Sequence, residues 1–289
     1  MVMRVKRDKP STPSVKQAQS DSWTTTGDHD FSSNNKPNKR AKFMLFAKAG
    51  VGKTAFVCRH APDPIAILDI DGRALPTVEQ ARRDLGKTIH HVEILLPGEE
   101  GDPDETKLFA QSSLNKLFKN LKWAVGQSAL GKMSTVYVDG CTEVDLLAKL
   151  AWDGCKAQTK EGAFGKDKDF INYQFWRIIN IWRRGNAHLV LSSREKEIYK
   201  DHEATGDFTF RAAKVIDEAV DFSLQLRERD RMDGKGKKYE IKVIKSGINR
   251  SKSGKVYRES EWQEFGPFAH ICNDIYSDLY EDGSVTDWI

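Results

Sequence analysis

The stretch Ala47-Lys48-Ala49-Gly50-Val51-Gly52-Lys53-Thr54 constrains this chain more than any other. It follows the apolar run Lys42-Phe43-Met44-Leu45-Phe46 and leads into Ala55-Phe56-Val57-Cys58. The first run suits a buried strand, and the residues after Thr54 continue at helical spacing. Strand, glycine-rich loop, helix is the arrangement that turns backbone N–H groups inward around a polyphosphate, at the positive end of a helix. In it the loop residues through Ala55 cradle the phosphates, Lys53 reaches the outer ones, and the Thr54 hydroxyl ligates Mg²⁺. The pattern G-x-x-x-x-G-K followed by Ser or Thr is met except at its first position, where Ala47 stands for glycine. Alanine is tolerated there if φ is negative and nothing crowds its methyl group.

A chain of 289 residues suits one α/β domain with tails, or two small domains. Its hydrophobic content of 39%, with seven Trp and fourteen Phe, is ample for a core. A net charge of +4 is too mild to demand a nucleic-acid partner by itself. Cys58, Cys141, Cys155 and Cys272 are scattered, with no C-x-x-C pair, and read as reduced structural thiols. No apolar run is long enough to span a membrane, and the N-terminus lacks a signal peptide's apolar centre. The expectation is a soluble, cytoplasmic protein with no membrane partner.

Residues 1–38 are polar, net basic and without apolar period, and are expected to form a disordered arm. Trp23 and Phe31 are its aromatic residues; they are solvated, or they anchor the arm on a neighbouring subunit. Residues 39–275 form the domain, and residues 276–289 an acidic tail. Within the domain, further strands are expected at Ile65–Gly72, Val92–Leu96, Thr135–Asp139 and His188–Ser192, alternating with helices. Leu108, Leu114, Leu117, Phe118 and Leu121 mark one amphipathic helix, and Phe170–Arg184 another. Phe222–Leu226 and Tyr239–Ile244 alternate with period two around the turn Asp233–Gly236, an antiparallel hairpin. The fold class is therefore α/β, a mostly parallel sheet covered by helices with an antiparallel hairpin at one edge.

Asp139 ends an apolar strand about 80 residues after the phosphate loop, the place of a second Mg²⁺ carboxylate. Gly140 follows it, so no carboxylate directly after Asp139 can serve as the base for an attacking water. Asp69 and Asp71 end a neighbouring strand, where ligands of such sheets sit. Asp71 is the candidate for orienting water, the alternative being that both residues cap the strand and its turn. Ser192, Ser193 and Arg194 either sense the γ-phosphate or merely end the fifth strand. Lys245 and Arg250 follow the hairpin, as arginine-finger-like cations reaching a neighbour's site or as a solvated basic turn.

Together these residues resemble the RecA superfamily, most closely the compact phage-encoded RecA-like ATPases associated with single-strand annealing and recombination. The features carrying the resemblance are Ala47–Thr54, Asp69-Ile70-Asp71, Val136–Asp139, Leu191–Arg194 and Lys245–Arg250, in that order. They span most of Lys42 to Arg250. The resemblance implies ATP and Mg²⁺ as cofactors and catalytic roles for Lys53, Asp71, Asp139, Ser193, Lys245 and Arg250. It also implies a homo-oligomer with sites at subunit interfaces, in a phage-infected bacterial host. The chain departs from the family at Ala47, and at Asp71, one methylene shorter than the family's Glu.

The family binds single-stranded DNA through two loops. The matching segments are Lys156 to Lys168, with Lys156, Lys160, Phe164, Lys166 and Lys168, and Lys196 to Lys214, with Lys196, Tyr199, Lys200, Phe208, Phe210 and Arg211. Cations neutralise phosphates and rings stack bases. Acidic residues within both segments oppose this, and ordinary solvated loops are the alternative. The function expected is an ATP-binding and ATP-hydrolysing protein acting on single-stranded DNA in recombination, annealing or replication. Its rivals are a nucleotide-gated assembly factor with a protein partner, such as a helicase loader, packaging or annealing component, and a small-molecule kinase. The kinase lacks an Arg-rich lid segment after the core.

Overall fold

Lys42–Ala47 forms β1, in which every residue after Lys42 is buried, and it delivers the chain into the glycine-rich loop. A computed structural model of the protein describes residues 40–98, 102–154, 166–213, 215–230, 237–247, 250–262 and 266–276. After β1 come α1 (Lys53–His60), β2 (Ile65–Asp69), α2 (Leu75–Leu85), β3 (Ile89–Glu93), α3 (Pro103–Ala129), β4 (Thr135–Asp139) and α4 (Cys141–Asp153). The second half holds α5 (Lys166–Trp182), β5 (His188–Lys200), β6 (Glu203–Phe210), α6 (Val215–Ala219), β7 (Phe222–Asp230), β8 (Lys237–Ser246), β9 (Val256–Arg258) and α7 (Gly266–Tyr276).

The strands lie in the order β3-β2-β4-β5-β1-β7-β8-β9. From β3 to β7 every neighbouring pair is parallel, while β8 and β9 continue antiparallel at the far edge. Parallel strands need crossovers, and the helices supply them on both faces, so the central strands are buried on both sides and read as unbroken apolar runs. Alternation along each strand divides the core. Met44, Phe46, Leu68, Val136, Val138 and Leu191 face α3, α4 and α5. Phe43, Leu45, Ile67, Tyr137 and Val190 face α1, α2 and α7. Each such fully buried large side chain contributes roughly 1.5–3 kcal/mol. The α/β layout expected from the sequence, a mostly parallel sheet covered by helices, is the layout found, with the antiparallel pair β7–β8 toward one edge.

Strand order matters for the site. β5 lies between β1, which carries the phosphate loop, and β4, which carries Asp139. All three point their C-terminal ends the same way, so the loop, Asp139 and the Ser192–Arg194 segment converge at one rim.

Three expectations need correction. The third strand is Ile89–Glu93 rather than Val92–Leu96, because Ile89 pairs with Ile65 at the start of β2. The fifth strand does not stop at Ser192; it runs on to Lys200 and folds back through Asp201 and His202, both at positive φ, into β6. The segment Lys196–Lys214 is therefore largely an antiparallel ribbon, not a loop. The second strand ends at Asp69 rather than Gly72, because the chain turns there and Asp69 accepts from the Gly72 and Ala74 N–H groups. Lys245 lies at the end of the sheet away from the glycine-rich loop. Ser246 pairs with Phe222, which pairs with Phe43 near the start of β1, at the opposite end of the sheet. The Lys245 ammonium bonds the Asp217 carbonyl of α6, on the face away from α1.

The N-terminal arm with Trp23 and Phe31, the turn Asp233–Gly236, Cys155 and the acidic tail lie outside the described residues. Cys58, Cys141 and Cys272 are buried free thiols. No helix among the described residues is long and apolar enough to cross a membrane.

Candidate phosphate and metal site

The loop between β1 and α1 takes its shape from two glycines. Gly50 and Gly52 adopt φ +83° and +87°, a left-handed conformation that side-chain-bearing residues rarely occupy. At Gly52 space matters as well, since a Cβ there would stand 2.9 Å from the Tyr239 hydroxyl of β8. Ala47 is not a loop residue at all. It is the buried last residue of β1, paired with Arg194, and its φ is not positive, so a methyl group fits where the motif has glycine. Lys48, Ala49 and Gly50 are exposed, and Val51 to Ala55 half-buried.

Gly52 is the N-cap of α1 and provides no side-chain hydrogen bond, and the first turn carries no acid. The helix thus presents open N–H groups and the positive end of its dipole to the cavity. Lys53 lies in that first turn. Burial pulls its ammonium below the usual lysine range, against the opposing pull of Asp139, Asp71 and Glu143. Among the described residues no carboxylate lies within ion-pair distance of it, so its charge is available to an anion.

Asp139 falls on the same strand face as Tyr137, the face covered by α1, and this brings it to Thr54. The Thr54 hydroxyl donates to Asp139 Oδ2 at 2.6 Å, and the Ser192 hydroxyl to Oδ1 at 2.6 Å. Burial raises the Asp139 carboxyl above the usual range, while those two hydroxyl donors oppose the shift. Ser192 in turn accepts from the Gly140 N–H at 3.0 Å, tying β5 to the start of α4. A hydroxyl and a carboxylate at the mouth of a phosphate loop are the oxygen ligands Mg²⁺ takes alongside substrate phosphates, and the donor set fits that ion. The uncapped helix, the two left-handed glycines and the unpaired Lys53 fit the polyphosphate of ATP.

The two aspartates at the end of β2, Asp69 within it and Asp71 just beyond, have separate fates. Asp69 is buried and fully engaged, accepting from the N–H groups of Gly72 at 2.8 Å and Ala74 at 2.9 Å and lying 3.1 Å from His91 Nε2. It shapes the turn into α2. Asp71 follows the end of the strand and opens into the cavity, 3.6 Å from Arg194 Nη2 and 3.9 Å from Arg73 Nε. Arg194 also donates to Glu143 Oε1 at 2.9 Å. Glu143 is a residue that inspection of the sequence passed over. It stands in the first turn of α4, only 7% exposed, and burial raises its carboxyl above the usual range although Arg194 opposes this. Lys53, Thr54, Asp71, Asp139, Glu143 and Arg194 together line one cavity of about 240 Å³.

Ser193 lines the same cavity, but its hydroxyl donates to the Arg211 carbonyl at 2.8 Å and meets Thr142 at 3.1 Å. It fastens β5 to the end of the β5–β6 ribbon. A larger groove of about 770 Å³ continues from the cavity along that ribbon, sharing Asp71, Glu143 and Arg194 and adding Lys196 and Arg211. Lys196, Tyr199, Lys200 and Arg211 are exposed, as is Lys168 at the start of α5. Phe208 and Phe210 are not available for stacking, since both pack on the core. Lys156, Lys160 and Phe164 lie outside the described residues, as does the side chain of Lys166. Lys245 and Arg250 are absent from the cavity lining.

No protein-family model matches the chain, and no curated protein sequence matches it. Among solved structures, a KaiC-like protein from the hyperthermophilic archaeon Pyrococcus horikoshii OT3 is similar at 12% identity, with a TM-score of 0.38, over 75% of this chain and 84% of that one.

Proposed function

We propose that this protein is a RecA-like ATPase that binds ATP with Mg²⁺, hydrolyses it, and acts on single-stranded DNA in recombination, annealing or replication of the phage type. The observation that carries the nucleotide part is the meeting of Thr54 and Asp139 at 2.6 Å beside an unpaired Lys53 at an uncapped helix N-terminus. In this reading the loop amides and Lys53 bind the phosphates, and Thr54 and Asp139 hold the ion. Arg194 responds to the outer phosphate. When bound, Mg²⁺ supplies charge neutralisation on the outer phosphates.

The DNA part rests on the ribbon. Lys196, Tyr199 and Lys200 project from it into solvent, and the ribbon is hydrogen-bonded to the nucleotide rim through Ser193 and through the Arg211 N–H to the Arg194 carbonyl at 2.8 Å. These bonds are the route by which, in this reading, nucleotide state would act on the ribbon. One observation favours the second reading, an assembly factor with a protein partner. Glu195, Glu197, Glu203 and Asp207 share the ribbon with the exposed Ile198. Fluorescence anisotropy of labelled single-stranded DNA decides between them, with and without ATP at two salt concentrations. Binding that weakens with salt and is lost when Lys196, Tyr199 and Lys200 become Ala supports the DNA reading. No binding at low salt moves the assignment to a protein partner.

For a RecA-like oligomer, Lys245 and Arg250 remain candidates for completing a neighbouring subunit's site, since within their own subunit they stand away from the cavity.

A further inference from the structure

Gly140 and Glu143 meet closely at the start of α4. Gly140 adopts φ +104°, and a Cβ on it would come within 2.9 Å of Glu143 Oε2. The glycine after Asp139 therefore makes room for a carboxylate arriving from three residues further along the chain. A Glu at this helical position commonly turns back to cap the N–H of the N-cap residue. Here that N–H, on Gly140, already donates to Ser192 Oγ at 3.0 Å, so capping does not account for the Glu143 side chain. The carboxylate points instead into the phosphate cavity and is held by Arg194 at 2.9 Å.

We infer that Glu143, rather than Asp71, is the general base that activates water for attack on the γ-phosphate, and that Arg194 positions it; this rests on the ATPase reading above. As the water oxygen bonds to the γ-phosphorus, its proton passes to Glu143. The bond from that phosphorus to the β–γ bridging oxygen breaks, and the bridging oxygen leaves with the electron pair as part of ADP. The proton on Glu143 then returns to solvent. Asp71 suits the role less well. Its side chain is 34% exposed against 9% for Glu143, and it lies between the Arg194 and Arg73 guanidinium groups. Its contact with Arg194 makes it the second anchor of that arginine. When the outer phosphate attracts Arg194, the arginine's hold on Glu143 loosens and the carboxylate becomes free to accept a proton.

The test compares Glu143→Gln and Asp71→Asn with the wild-type full-length chain, in three measurements: ATP affinity, retention of unhydrolysed radiolabelled ATP through gel filtration, and single-turnover hydrolysis. The inference expects Glu143→Gln to bind ATP as tightly as wild type, to retain it intact, and to hydrolyse it at least about 100-fold more slowly. Its melting temperature should be unchanged, and Glu143→Asp should recover part of the rate. Asp71→Asn should lose much less. Hydrolysis by Glu143→Gln near the wild-type rate overturns the inference and leaves the ATPase reading standing. So does a joint fall in its ATP binding and melting temperature, which would make Glu143 structural. A wild-type protein that binds ATP but never cleaves it overturns both.

Discussion

The Thr54 hydroxyl donates to the Asp139 carboxylate at 2.6 Å, although the two residues are 85 positions apart and β5 lies between β4 and β1, the strand that leads to α1. The contact exists because β4 and α1 share one face of the sheet. It sets side by side two oxygens of the kind that would hold Mg²⁺ beside bound phosphates. Asp139→Asn should keep the fold, since Asn can still meet both Ser192 and Thr54. Mg²⁺ should strengthen ATP binding to the wild type by about tenfold or more and leave the variant unaffected, a difference of about 1.4 kcal/mol. Isothermal titration with and without Mg²⁺ measures it, and equal Mg²⁺ dependence in both proteins would remove Asp139 from the metal site.

Gly52 is under two constraints, conformational and steric, and they can be separated. Gly52→Ala should destabilise the protein by roughly 1–2 kcal/mol through its left-handed φ, and by more through the clash with Tyr239. Adding Tyr239→Phe removes the hydroxyl that stands 2.9 Å from the new methyl, so the double variant should recover stability only in part. Urea unfolding of Gly52→Ala, Tyr239→Phe and the double variant checks this. Full recovery would show that φ at Gly52 carries no cost.

His188 makes the fold sensitive to acid. It is half-buried at the start of β5, where Nδ1 accepts the Ala41 N–H at 3.2 Å, and its removal from water lowers its pKa from 6.5 to about 4. The unfolded chain takes up a proton near pH 6.5 that the folded chain refuses until about pH 4. Stability is therefore full above pH 6.5 and falls as pH drops toward 4, by up to roughly 3 kcal/mol from this residue. His60, also lowered by burial to about 4, acts in the same direction. His188→Gln keeps an acceptor for Ala41 but cannot be charged, so its stability should fall less steeply between pH 6.5 and 4. Denaturant unfolding at several pH values reads the slope, and parallel slopes would mean that His188 is not the titrating group.

The parts of the fold visible in the sequence are those whose burial is complete. β1, β2 and β4 lie inside a parallel sheet covered on both faces, so they appear as unbroken apolar runs with the loop and Asp139 at their ends. β3 was misplaced because His90 and His91 interrupt its pattern at the sheet edge. β6 was invisible because Glu203–Phe210 is mostly polar and pairs only with the projecting half of β5. Within the site, Asp139 and Lys53 were readable from spacing, whereas Glu143 was not. Its role depends on Ser192 occupying the Gly140 N–H and on Arg194 reaching it from another strand. The sequence signal that could have found it is a glycine three residues before an acid at a helix start. The placement of Lys245 turns on the direction in which β8 runs, which is set by long-range pairing with β7 and not by local residues.

The central claim is that the N-terminus of α1 binds ATP through Lys53. Equilibrium titration of the purified protein and of Lys53→Ala with a fluorescent ATP analogue, in Mg²⁺, tests it most directly. Saturable binding to the wild type is expected, with affinity weakened by about 100-fold or more in the folded variant, close to 3 kcal/mol. Equal binding by the two proteins, or none by the wild type, would contradict it.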